Sequence, residues 1–188
     1  MSAEELLAAY AAGRREFCEV VFQRLVLVGA DLSGSDFSNA RFEKVDLSAA
    51  NLHESNLDRA HFSDCKFDGA TIENVKLDGA SVERCSFQGV RFGTQTTFAR
   101  SNVRRSNFRK SSFVGVNFSD ANIAGSDLVE SDLSRASLRN ASLSNCKLRG
   151  AGFAKADLRG RLLGFFPRLV STLRCFRKYS HGPIGIRL

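Results

Sequence analysis

The chain has no apolar run approaching the roughly 20 residues that a membrane-spanning helix needs, which excludes such a span from the reading. Its start lacks a basic segment followed by an apolar core. Glu4 and Glu5 stand there instead, so the expectation is a cytoplasmic protein without a signal peptide. Only three histidines occur, His53, His61 and His181, and no glycine-rich phosphate loop, zinc-ligand spacing or nucleophile elbow accompanies them. The expectation is a non-catalytic protein with no cofactor and no metal. Cysteines number five, and an odd count does not suggest the disulfide framework of an oxidising compartment.

What the chain does have is a beat of five. From Ala121 to Leu143 every fifth residue is large and apolar (Ile123, Leu128, Leu133, Leu138, Leu143), and the residue two places before each is small. A helix returns its apolar residues at three and four, and a strand at two, so five needs another geometry. In extended chain, residues two apart share a face. The large residue, called the centre here, and the small one before it therefore point inward. The residue between them points outward, and the next two turn a corner. Four such corners close a square coil of twenty residues.

The beat runs from Leu32 to Phe92 and again from Phe98 to Leu158. It covers 26 centres, each Leu, Phe, Ile or Val, with Ala, Ser, Cys, Val or Thr at every small position. Nine of the 15 glycines fall two places after a centre, where a type II turn wants positive φ. Internal repetition of this kind decides the fold before any other signal does.

Units such as Ala30-Asp31-Leu32-Ser33-Gly34 and Ala50-Asn51-Leu52-His53-Glu54 resemble the pentapeptide repeat proteins, whose pattern is A(D/N)Lxx. The resemblance covers about 130 residues. It implies an all-β solenoid, a right-handed quadrilateral parallel β-helix. About seven coils stacked at roughly 4.8 Å predict a rod on the order of 35 Å long. Family function is broad, and fold alone is no warrant for it.

Both ends of a solenoid need caps, because each coil touches only its neighbours. Residues 1–16 read as the N-terminal cap: Ser2 and Glu5 form a capping box, Gly13 is the stop, and Leu6, Leu7 and Tyr10 make an apolar face for the first coil. This lead-in resembles that of some cyanobacterial pentapeptide repeat proteins. Residues 17–160 are the repeat helix, with Phe17, Phe22 and Leu27 opening an atypical first coil. In residues 161–188, Pro167 suits the start of a second capping helix to about Lys178, and a homodimer contact or a membrane-surface helix is the alternative use; a loose tail follows.

Centres twenty residues apart are expected to stack, so Phe22, Phe42 and Phe62 form one column, and Phe67 and Phe87 part of another. Core packing accounts for them without a ligand. Between Phe92 and Phe98 the spacing is six; the extra residue lies in Gly93 to Thr97 and is expected to bulge without changing the order of faces. That puts Phe87 under Phe108 and Phe92 under Phe113. Cys65, Cys85 and Cys146 share one inward column and read as small buried packers.

The net charge of +7 is unevenly divided: residues 1–90 carry 15 acidic and nine basic side chains, and residues 91–188 carry five and 18. From Arg91 to Ser119 there are six basic residues and no acid. Five of them, Arg100, Arg104, Arg105, Arg109 and Lys110, spread over three adjacent corners and form the candidate partner-binding site. The family's gyrase-protecting members resemble DNA as acidic rods, and a half-basic rod departs from that pattern. A basic belt can also hold nucleic acid by displacing counterions from phosphate. Flat coils, however, offer no groove-sized helix, and the belt has no aromatics for base stacking. The reading is a protein-interaction scaffold or regulator with an unidentified protein partner; the alternative is a topoisomerase-interacting or polyanion-binding protein.

Overall fold

The large apolar centres stack in register, one directly above the next, and the backbone pairs at the same step. The computed structural model describes residues 1–160. It is a parallel β-solenoid with one N-terminal helix, α1 (Ala3–Ala11). Its strands are β1 (Val21–Gln23), β2 (Arg41–Glu43), β3 (His61–Ser63), β4 (Thr71–Ile72), β5 (Ser81–Glu83), β6 (Arg91–Phe92), β7 (Asn102–Arg104) and β8 (Asn122–Ala124). All pairing between them is parallel: one six-stranded sheet runs β1-β2-β3-β5-β7-β8, and β4 pairs β6 in a second.

We number four faces by their first centres. Face 1 starts at Phe17, face 2 at Phe22, face 3 at Leu27 and face 4 at Leu32. Face 2 carries the six-stranded sheet, and face 4 the β4–β6 pair. The six strands of face 2 make about five turns, fewer than the seven coils expected. Beyond them the ladder continues as single-residue bridges, from Glu16↔Asp36 on the first coil to Ser137↔Asp157 on the last. Corner geometry explains the difference. At most corners the N–H three residues after a centre donates back to that centre's carbonyl, as Ala30 does to Leu27 and Ala60 to Leu57, both at 3.1 Å. This tight turn follows the centre at once and leaves little extended chain to pair. After most face 2 centres the chain runs on, and the freed N–H goes to the inward side chain of the next coil. Cys65 donates to Cys85 Sγ at 3.4 Å, and Cys85 to Ser106 Oγ and Ser106 to Ser126 Oγ, each at 3.2 Å.

The second corner residue is left-handed almost throughout. Nineteen non-glycine residues take positive φ, among them Glu54 (57°), Arg100 (59°), Arg105 (51°) and Lys110 (58°). A left-handed non-glycine costs about 1–2 kcal/mol. The coil recovers it through the backbone: Arg59 N–H donates to Asp78 O at 2.9 Å, and Lys110 N–H to Val129 O at 3.0 Å. The corner at Thr94 and Gln95 has no left-handed residue, because the inserted residue lies there. Thr96 closes this bulge, its N–H donating to Gly93 O at 2.9 Å and its hydroxyl to Ile72 O at 3.1 Å.

The phenylalanine columns form as expected. Phe22 stacks on Phe42 and Phe42 on Phe62 at 4.8 Å, and Phe67 on Phe87 at 4.5 Å. Across the bulge the register shifts by one and the faces stay aligned. Phe87 stacks on Phe108 at 5.0 Å, and Phe92 on Phe113 at 4.5 Å. At the N-terminus the capping box of Ser2 and Glu5 is present, and Leu6 is fully buried in the core. Tyr10 is half-buried, its hydroxyl meeting Ser33 O at 3.1 Å, and the Arg15 guanidinium lies 3.7 Å from its ring centroid. Leu7 departs from expectation: it points away from the first coil and is 39% exposed, since a nine-residue helix turns only a narrow stripe toward a flat end. The proposed C-terminal cap falls in 161–188, outside the described residues.

Two stability outcomes follow. Phe118 is 2% exposed, so Phe118→Asp unfolds or truncates the solenoid, while half-buried Val114 tolerates Asp; circular dichroism melts separate the two. Ser101 is the one serine in a column of alanines (Ala40, Ala60, Ala80, Ala121, Ala141), and its buried hydroxyl has no partner. Ser101→Ala is expected to raise stability by about 1 kcal/mol in urea unfolding.

Candidate partner-binding belt

Arg100, Arg104, Arg105, Arg109 and Lys110 all lie on the coil whose centres are Phe98, Val103 and Phe108. Phe98, Val103 and Phe108 are each 1% exposed or less, so the corner residues after them are forced out into solvent. Arg100 occupies the corner between faces 1 and 2, Arg104 and Arg105 the next, and Arg109 and Lys110 the one after. Each of the three corners therefore carries at least one cation, as the spacing predicts.

The five are not equivalent electrostatically. Arg109 Nη1 meets Asp127 Oδ2 at 3.4 Å, and that carboxylate also lies 3.7 Å from Lys147 Nζ. Arg104, at the end of β7, spends its Nε hydrogen bond on Asn102 Oδ1 at 3.0 Å. Arg100, Arg105 and Lys110 are exposed and form no ion pair among the described residues. Their neighbours one coil away emphasise them: Gly79 precedes Arg100 in its column, Gly89 precedes Lys110, and Gly125 follows Arg105. On the other side the column carries Asp120 beside Arg100, Arg84 beside Arg105 and Glu130 beside Lys110, so each cation is bare on one flank only.

The linear reading missed Arg59. It occupies the same corner column as Arg100 with Gly79 between them, and the two flank a shallow groove with Asp58 and Asp78. A Cβ at Gly79 would touch Arg59 Cγ at 3.5 Å, so the bare corner is what opens the groove. Arg59 and Arg100 are 41 residues apart, and the twenty-residue step recovers the pairing only once the bulge is counted.

No catalytic or metal constellation forms among the described residues. His53 lies on face 4 and His61 on face 2, and no three His, Cys, Asp or Glu residues converge to hold an ion. Cys65, Cys85 and Cys146 are free, buried thiols, and Cys18 is exposed. Cys65 and Cys85 are adjacent in their column; the hydrogen bond between them and then burial push the Cys85 thiol well up. Burial pushes Cys146 up to about 11. Cys85 and Cys146 are thus protonated packing groups, poor nucleophiles and poor ligands at neutral pH.

The family follows from the repeat itself. A family model described as "Pentapeptide repeat region" matches residues 15–92, and one described as "Pentapeptide repeats (8 copies)" matches 94–128 and 126–160. The chain belongs to the pentapeptide repeat proteins. Among solved structures it is similar to a trypsin-treated form of QnrB1, a plasmid-mediated fluoroquinolone resistance protein. Identity there is 20% over 77% of this chain and 86% of that one, with a TM-score of 0.43. It is also similar to HetL from the cyanobacterium Nostoc sp. strain PCC 7120, a protein involved in heterocyst differentiation regulation: 21% identity, 84% and 95% coverage, TM-score 0.26. A third is Rfr23 from the cyanobacterium Cyanothece 51142, at 17% identity, 82% and 92% coverage and TM-score 0.33. No curated protein matches the chain. No helix among the described residues is long and apolar enough to cross a membrane.

Thiol accessibility tests the inward column. In a Cys175→Ser background, native protein is expected to label at Cys18 alone with a thiol reagent, and unfolded protein at four cysteines. Rapid native labelling of Cys65 or Cys85 would place that column on the surface.

Proposed function

We propose that this chain is a non-catalytic interaction module, a scaffold or regulator whose belt docks onto an acidic surface of a protein partner in the cytoplasm. The observation that carries this is the ring of exposed cations without ion pairs, Arg100, Arg105 and Lys110, at three corners of one coil. Any two adjacent corners border a flat face, so a partner that covers face 2 or face 3 meets cations along both edges. Charges at an interface rim set orientation and association rate more than affinity, with the flat face supplying contact area.

The polyanion reading draws on the same cations, and the topoisomerase reading on the family resemblance. The ring geometry favours a protein. Three corners of a square coil point in different directions, and a straight duplex meets only one or two of them. An acidic DNA-like rod is a poor description of a chain whose residues 91–160 carry 12 basic and five acidic side chains.

Affinity capture from nuclease-treated lysate decides between them, comparing wild type with the Arg100→Glu, Arg105→Glu, Lys110→Glu triple variant. A protein partner retained by wild type, lost from the variant and only modestly salt-sensitive is the expected outcome. Capture that requires added nucleic acid, with affinity collapsing steeply in salt, overturns the protein reading in favour of polyanion binding.

A further inference from the structure

The corner column between faces 4 and 1 reverses its charge along the rod. Glu54 and Glu73 stand near its N-terminal end, Arg135 and Lys155 near its C-terminal end, and all four are at least partly exposed. Glu54, Arg135 and Lys155 share the single corner column between faces 4 and 1, and Glu73 is the residue beside that column. Glu54 has only the imidazole of His53 near it, at 3.3 Å. Glu73, Arg135 and Lys155 form no ion pair among the described residues. Several other charges, the belt's free cations apart, pair coil to coil, as Arg84 with Asp64 at 2.8 Å or Lys66 with Asp46 at 3.8 Å. At this corner the opposite charges lie about four coils apart, on the order of 19 Å at the usual strand spacing, beyond any intramolecular contact.

A second copy running antiparallel brings them together. We propose that face 4 is the contact of an antiparallel homodimer, with Glu54 and Glu73 of each copy meeting Arg135 and Lys155 of the other. A two-fold axis lying in the interface, across the rods near their middle, reverses direction along the rod and leaves each column facing itself. The acidic end of the column then lies on the basic end of its own copy, which is the self-complementarity that an isologous interface requires. The face itself also presents Arg91 and Asp132, which the same axis sets opposite Ser112 and Thr71 of the other copy, so neither meets a like charge. Residues 1–90 have a net charge of −6 (nine basic, 15 acidic) and residues 91–160 of +7 (12 basic, five acidic), so the antiparallel arrangement is also favoured at long range. One face of a thin rod offers less than the roughly 800 Å² per partner of a standard interface, so the dimer is weak and dissociates in salt. The belt's Arg100, Arg104 and Arg105 lie on corners away from face 4 and stay available in both copies, while the corner of Arg109 and Lys110 edges face 4 and lies at the rim of the contact.

Charge reversal tests this independently of the belt. Sedimentation equilibrium of the full chain at low salt is expected to show a mass twice the 20.6 kDa protomer, falling to one protomer at high salt. The acid-end variant (Glu54→Lys, Glu73→Lys) and the base-end variant (Arg135→Glu, Lys155→Glu) each raise the dissociation constant more than tenfold. Mixing the two restores a dimer, because the column is then basic along one rod and acidic along the other. A wild-type chain that stays monomeric at low salt, a dimer indifferent to both variants, or a mixture that fails to associate overturns the proposal. Circular dichroism melts of both variants check that the exposed substitutions leave the solenoid folded.

Discussion

The whole rod rests on one hydrogen-bonding relation, the donation of a backbone N–H to a carbonyl of the neighbouring coil. Phe17 N–H finds Asp36 O at 2.7 Å, Phe37 finds Asn56 O at 2.8 Å and Leu57 finds Lys76 O at 2.7 Å, and so on down the column. Because this relation repeats at a fixed step, side chains of one kind are forced onto one line. A large apolar centre must stack on another, as Phe62 does on Val82, a small inward residue must fit under another small one, and a corner must turn under a corner. Strain at the left-handed corner residues and the demand for small residues behind each centre both follow from keeping that step constant.

The same constraint shapes what the surface can do. With no pocket beneath the faces and no loop longer than the bulge at Gly93 to Thr97 among the described residues, chemistry that needs converging side chains has nowhere to assemble. What the solenoid does offer is ruled display. A charge placed at a corner keeps a known direction, and its neighbours are the residues one coil before and after. The belt arises where bare glycine corners adjoin basic ones. The reversal at the corner of faces 4 and 1 arises because its acids and bases were never placed within reach of one another.

Much of this was legible because a solenoid converts sequence distance directly into space. The centres, the small inward positions, the capping box at Ser2 and Glu5, and the shift of register between Phe92 and Phe98 all follow from counting. Leu7 was misplaced because α1 lies outside the repeat, and its orientation depends on how a short helix meets the first coil. The extent of the strands differed because hydrogen bonding at the face 2 corners depends on Cys85, Ser106 and Ser126 accepting from the backbone. Counting inward positions does not reveal that.

The amino-acid order by itself determined the coil, its core and the column to which each charged residue belongs, because five-residue periodicity leaves no other way to bury 26 centres. Only the tertiary structure decided which charges are spent and which are free. Asp127 takes up Arg109 and Lys147, Asp64 takes up Arg84, and Arg100, Arg105, Lys110, Arg135 and Lys155 are left without ion pairs among the described residues. That division depends on the reach and direction of side chains between coils, and periodicity is silent about both.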